Sequence, residues 1–118
     1  NNFSGGFTHG LRMNGNNSGN LIDNNNLSST TSWAIYMYRG NNSQNTITNN
    51  TINNSGGGVL YDYGTPADIS GNDFTNTANF LSLASVSNFT LGSNTLNEEA
   101  NIGLIYCNNV NISKFQTQ

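Results

Sequence analysis

At 118 residues the chain has room for one domain. Charged side chains make up 8% of it, against roughly 25% in ordinary globular chains, and the net charge is −3. The three cations, Arg12, Arg39 and Lys114, lie far apart in sequence, which argues against nucleic acid because a phosphate backbone calls for clustered cations.

Taken from the start, the chain repeats one pattern. Asn1-Asn2-Phe3 is a partial copy, and Ile22-Asp23-Asn24-Asn25-Asn26-Leu27 is the first full one. The form is apolar, two residues, Asn, one residue, apolar. It returns as Ile47-Thr48-Asn49-Asn50-Thr51-Ile52, Ile69-Ser70-Gly71-Asn72-Asp73-Phe74 and Leu91-Gly92-Ser93-Asn94-Thr95-Leu96. The asparagines Asn1, Asn25, Asn50, Asn72 and Asn94 are spaced by 24, 25, 22 and 22 residues. Between the copies run alternating segments, with inward pairs Leu11/Met13, Ile35/Met37, Val59/Tyr61, Leu81/Leu83 and Ile102/Leu104.

A period of this length means stacked units. Each unit holds period-2 runs and no 3.6-residue pattern, and Asn, Gly and Thr are poor helix formers. The prediction is an all-β fold: one segment over residues 1–118, a right-handed, single-stranded parallel β-helix of about five coils. Each coil has three short strands stacked ~4.8 Å apart, giving a stub about 24 Å tall. The hand follows from the crossover preference of parallel strands. A disordered Asn-rich segment would share the composition but not the fixed offsets. The repeated Asn is expected to take the left-handed or bridge conformation at a sharp turn and to bond its stacked copies as an amide ladder. Gly71 and Gly92 are expected to relax strain at the same corner.

The Ile-x-x-Asn-x-Ile unit resembles the repeat of right-handed parallel β-helix proteins: pectate-lyase-like enzymes, alginate epimerase-like modules and phage tailspikes. The resemblance covers nearly the whole chain. It implies a polysaccharide or oligosaccharide partner and an extracellular or virion-surface location; from the residues, no cofactor is expected. The last coil departs from the pattern, with Phe115 where Asn should stand. No capping helix is evident at either end, no initiator Met or signal-peptide pattern is present, and the chain reads as a fragment of a longer one.

The remaining features are sparse. No stretch of ~18 apolar residues exists, so no membrane span is expected. Cys107 is alone and cannot form an internal disulfide. The Asn-x-Ser/Thr triplets, such as those at Asn2, Asn41 and Asn88, follow from composition and are not read as glycan sites.

Outward positions of the first strand gather the informative side chains: Arg12 and Asn14, Tyr36 and Tyr38, Leu60 and Asp62, with Arg39 and Tyr63 at strand ends and His9 and Trp33 before them. The turns after this strand are longest in the early coils and would wall the face. Rings beside hydrogen-bonding and charged groups suit sugars, so Arg12, Tyr36, Tyr38, Arg39 and Asp62 are the candidate carbohydrate-binding residues. In β-helix enzymes this face usually bears the polysaccharide groove. No catalytic set is evident. Glycoside hydrolysis needs two carboxylates across a cleft, yet Asp62 is alone on its face, Asp68 and Asp73 lie on others, and Glu98-Glu99 sits in a turn. The polygalacturonase and epimerase signatures are absent, and no metal site is expected from one Asp. Asp62 is expected to pair with Arg39. Leu60 and Ile105 leave open a contact with another subunit, as in a homotrimer, or stacking on further coils of a parent chain. Two functional readings follow: a segment of a polysaccharide-recognising or polysaccharide-degrading protein, tailspike-like or lyase-like, or a purely structural stalk, adhesin or virion-fibre segment.

Overall fold

The computed structural model describes residues 1–97, 99–112 and 116–117. The expected departure at Phe115, Lys114 and the Glu98 half of the acidic turn lie outside them. Coil one carries β1 (Leu11–Asn14) and β2 (Leu21–Asp23). Coil two carries β3 (Trp33–Tyr38) and β4 (Thr46–Thr48), and coil three β5 (Gly57–Asp62) and β6 (Asp68–Ser70). Coil four carries β7 (Asn79–Ala84), β8 (Ser87–Leu91) and β9 (Thr95–Leu96). Coil five carries β10 (Asn101–Ile105), β11 (Asn108–Ile112) and β12 (Gln116–Thr117). Every pairing joins a strand to its copy in the next coil, and all are parallel. The first sheet runs β1-β3-β5-β7-β10, so five coils stack as the repeat predicts.

The register is like on like. Leu11 faces Ile35, Ile35 faces Val59, Val59 faces Leu81, and Leu81 faces Ile102. On the second side Ile22, Ile47 and Ile69 stack, and Leu91 pairs with Ile112. Leu27, Ile52, Phe74 and Leu96 fill the third column and are buried. Each fully buried aliphatic or aromatic side chain contributes roughly 1.5–3 kcal/mol. A one-residue slip would turn a whole column to water, so burial itself holds the register.

The expected third strand is shorter than predicted. Between the first four coils it is a single bridged residue, Asn2 to Asn26 to Thr51 to Asp73 to Thr95, and only β9 with β12 extends to two residues. The reason is crowding by corners. The ladder turn lies just before this position, and the left-handed residues Ser29, Asn54 and Asn76 follow just after Leu27, Ile52 and Phe74. Little extended backbone fits between two bends.

The amide ladder is present. Asn50 Nδ2 donates to Asn72 Oδ1 at 3.0 Å, and Asn72 Nδ2 to Asn94 Oδ1 at 3.0 Å. Each amide group also donates to the carbonyl of the apolar column in the coil before it: Asn50 to Ile22 at 2.9 Å, Asn72 to Ile47 at 3.0 Å and Asn94 to Ile69 at 3.1 Å. Each Oδ1 accepts twice, from the backbone N–H and from the side chain of the preceding ladder Asn, as Asn72 does from Asn50 at 2.9 and 3.0 Å. One side chain therefore ties three coils.

The conformation at this corner corrects the sequence-based expectation. The left-handed residue is the one before the ladder Asn: Asn24 (φ 62°), Asn49 (φ 56°) and Gly71 (φ 69°). These three are exposed, whereas Asn50, Asn72 and Asn94 are buried. The bend throws the left-handed residue outward and leaves the next side chain pointing in. Gly71 plays the role expected of it, but Gly92 does not adopt a positive φ. Its missing Cβ instead allows close stacking, since a methyl there would meet Ser70 Cβ at 2.5 Å.

Two further polar columns were not anticipated. Thr30, Ser55 and Thr77, all buried, form a hydroxyl ladder in which the Thr30 N–H donates to Ser55 Oγ and the Ser55 N–H to Thr77 Oγ1. Two positions before the isoleucine column, Asn45 is fully buried, and its Oδ1 accepts from the Asn20 N–H and Nδ2. Its Nδ2 donates to the Asn17 and Asn42 carbonyls and to the Tyr61 hydroxyl. Tyr61 in turn donates to the Asn42 carbonyl. Burial pushes the Tyr61 hydroxyl pKa up, with the bond from Asn45 pulling it down. In the last two coils the matching positions are Phe89 and Val110, so the core at this corner turns from polar to apolar along the axis.

Replacing Asn72 with Ala strands the Asn50 N–H and the Ile47 carbonyl inside the solenoid. The expected cost is about 1–3 kcal/mol of unfolding free energy. Urea titration checks it, and a change near zero would mean that these groups find water.

Candidate functional site

The register that stacks the core also builds the outer face. Arg12 lies opposite Tyr36, and Asn14 opposite Tyr38. Residues two apart share a face, so the two tyrosines stand side by side, ring centroids 5.7 Å apart and tilted 39°. The Arg12 guanidinium carbon sits 5.5 Å from the Tyr36 ring centre, and that of Arg39 sits 5.4 Å from the Tyr38 ring centre. Two rings are thus flanked by two cations. Each cation–π contact contributes about 0.5–1 kcal/mol when exposed, enough to orient the side chains.

Arg12, Asn14, Tyr36, Tyr38 and Arg39 line one open cleft of ≈ 390 Å³. Four of the five predicted site residues are brought together here. Asp62 does not line this cleft. Asn14 lines it and was not among the predicted residues, although its outward position was legible. The chains between first and second strands are longest in the first two coils, residues 15–20 and 39–45, as read from the spacing.

His9 extends the aromatic row. Its ring centre is 4.7 Å from that of Tyr36. Its Nδ1 lies 2.7 Å from the Trp33 carbonyl oxygen. A carbonyl only accepts, so Nδ1 carries the proton and Nε2 is the nitrogen left to accept. Spacing alone did not show this, because His9 reaches Tyr36 across coils.

Asp62 ends β5 and is 8% exposed. Burial alone pushes its carboxyl pKa up, with no cation pulling it back. The expected ion pair with Arg39 is therefore not the arrangement found: the Arg39 guanidinium turns over Tyr38 instead. Arg39 has φ 66°, which sends the chain around the corner as soon as β3 ends.

Other acids are engaged locally. Asp23 accepts from Thr48 Oγ1 at 2.6 Å and Asn49 Nδ2 at 3.1 Å, Asp68 from Ser70 Oγ at 3.0 Å, and Asp73 from the Thr75 N–H at 3.0 Å. Among the described residues, no three His, Cys, Asp or Glu side chains gather as metal ligands would. Cys107 is half-buried and its thiol lies 3.3 Å from the Leu83 carbonyl oxygen. Leu60 is half-buried, and Ile105 is 53% exposed at the last coil. Among the described residues no helix is long and apolar enough to cross a membrane.

A family model described as a right-handed beta helix region matches residues 1–116. No curated protein and no solved structure matches the chain.

The Asp62 environment predicts a pH dependence. A carboxyl whose folded pKa is raised binds a proton more tightly folded than unfolded. Stability therefore rises as pH falls through the raised folded value towards the ordinary 3.8, and is lower at neutral pH. Asp62→Asn should flatten this part of the stability profile and raise stability at pH 7. Urea titrations from pH 4 to 7 check it; an unchanged profile would show that Asp62 is as well solvated folded as unfolded.

Proposed function

The chain belongs to the right-handed β-helix family, and on the outer face of its first sheet we propose a binding site for an acidic oligosaccharide. The carrying observation is the cleft itself: two tyrosine rings side by side between two guanidinium groups. Membership of the family says where strands run and nothing about a ligand, so the reading rests on the side chains. Rings cover the apolar faces of sugars, while Asn14 and the tyrosine hydroxyls reach their hydroxyl groups. Two of the chain's three cations meet here, although the net charge is −3. Among the described residues no carboxylate lines the cleft. Guanidinium groups recognise carboxylates and sulfates by paired hydrogen bonds, which selects a charged sugar over a neutral one.

Binding without cleavage is the activity supported. Hydrolysis by paired acids needs two carboxylates across the sugar, and among the described residues none lines this cleft. Acidic glycans of this kind are surface polysaccharides, and we propose on that ground that the protein acts outside the cell or on a virion. The cleft is open and water competes for every hydroxyl, so the affinity should be about millimolar to micromolar.

An array of acidic and neutral glycans tests this. Wild type should hold acidic members, Tyr36→Ala/Tyr38→Ala should lose about tenfold or more, equivalent to ~1.4 kcal/mol, and Arg12→Gln should lose preference for acidic sugars. Circular dichroism confirms that the outward substitutions leave the fold intact. Binding indifferent to both tyrosines would move the site elsewhere. No glycan binding at all would favour a structural shaft.

A further inference from the structure

The first corner of every coil, just after the first-sheet strand, opens on a residue of positive φ, followed in coils two and three by a second, Gly40 (φ 70°) and Gly64 (φ 133°). The column reads Gly15, Arg39, Tyr63, Ser85 and Tyr106, with φ of 87°, 66°, 62°, 56° and 52°. Hydrogen bonds continue through it from coil to coil, Tyr63 N–H to the Ala84 carbonyl at 2.8 Å and Ser85 N–H to the Ile105 carbonyl at 2.9 Å. Glycine suits such a backbone, and small or Asn residues tolerate it; a bulky aromatic residue there is an outlier. Gly15 and Ser85 show that this corner asks for no large side chain.

Tyr106 brings almost no burial in exchange, and Tyr63 leaves about half of its surface in water. Tyr63 is 48% exposed and Tyr106 is 90% exposed. Rings held in water on a strained backbone weaken the fold, and strain of this kind collects where side chains meet ligands. Arg39, in the same column, already lines the cleft. Beyond the cleft the outward residues of coil four are low, Ser82 and Ala84 both half-buried; in coil five Gly103 has no side chain and Ile105 is 53% exposed. The corner column therefore stands beside a floor that is shallow in coil four and carries the apolar Ile105 in coil five.

We propose that Tyr63 and Tyr106 are further sugar contacts, a rail along which a polysaccharide runs parallel to the solenoid axis. The inference rests on the glycan reading above and adds the direction and extent of the ligand. From Arg12 in coil one to Tyr106 in coil five the track is ~19 Å long at the parallel-strand spacing, and the two rail rings are two coils, ~10 Å, apart. A short oligosaccharide fills the cleft over Tyr36 and Tyr38. A longer one also reaches the rail.

The test uses uronic-acid oligosaccharides, a disaccharide and an octasaccharide, titrated calorimetrically into wild type and Tyr63→Gly/Tyr106→Gly. Wild type should bind the octasaccharide at least about tenfold more tightly than the disaccharide. In the double variant that advantage should shrink to about twofold, with disaccharide affinity unchanged and Tm not lowered. Tyr63→Asn/Tyr106→Asn, which also tolerates a left-handed backbone, should match it and guards against a glycine-specific effect. Equal binding of both lengths, or octasaccharide binding untouched by the changes, overturns the rail and leaves the cleft standing. If neither oligosaccharide binds wild type, the rail falls together with the acidic-glycan reading.

Discussion

Everything in this solenoid depends on holding short strands in register without long loops or a thick core. The strands are two to six residues long. Strands this short are marginal alone. The asparagine column solves this at one corner by using both halves of the amide. Its oxygen takes two N–H groups from the coil before, and its nitrogen reaches the coil after and a carbonyl in the coil before. Backbone groups that a sharp bend removes from the sheet are thereby paired inside. An apolar residue could fill the space but would leave those groups unpaired.

The same registration produces the outer face. Because Leu11 stacks on Ile35 inside, Arg12 stacks on Tyr36 outside, and Asn14 on Tyr38. The cleft is a by-product of core alignment, decorated at positions free of core constraints. Strain is spread in the same way. The left-handed columns bend the chain at the corners of the coils, and most are filled by Asn, Ser or Gly. Arg39, Gln44, Tyr63 and Tyr106 are the exceptions; Arg39, Tyr63 and Tyr106 share the corner column after the first-sheet strand, and Arg39 lines the tyrosine cleft.

Much of this was legible from residues. Stacked parallel strands show in sequence as repeated columns, so Ile22, Ile47 and Ile69 revealed their register, and the inward pairs of the first sheet followed by alternation. The left-handed position was misplaced by one because Asn24-Asn25-Asn26 offers three identical candidates; only the backbone decides which points in. Tyr61 read as an apolar column member, yet its hydroxyl meets Asn42 and Asn45, and the connection carrying them has no matching length in the later coils. Arg39, Tyr63 and Tyr106 gave no turn signal because their residue types do not favour a positive φ. Arg12, Tyr36, Tyr38 and Arg39 were found as a group because they share one face. Asp62 was grouped with them by alternation, but its burial and the orientation of Arg39 over Tyr38 are three-dimensional facts.

The most direct measurement of the ladder is hydrogen exchange at the backbone amides of Asn25, Asn50 and Asn72, each of which donates to the Oδ1 of the next ladder asparagine. These bonds are made to side chains, at a corner, where a solenoid without the ladder would expose its amides. The account predicts that Asn50 and Asn72 exchange only through global opening, as slowly as Ile35 and Val59 in the central strands. Exchange as fast as at the exposed loop residue Ser18 would contradict it, and the coils would then have to be held by burial alone.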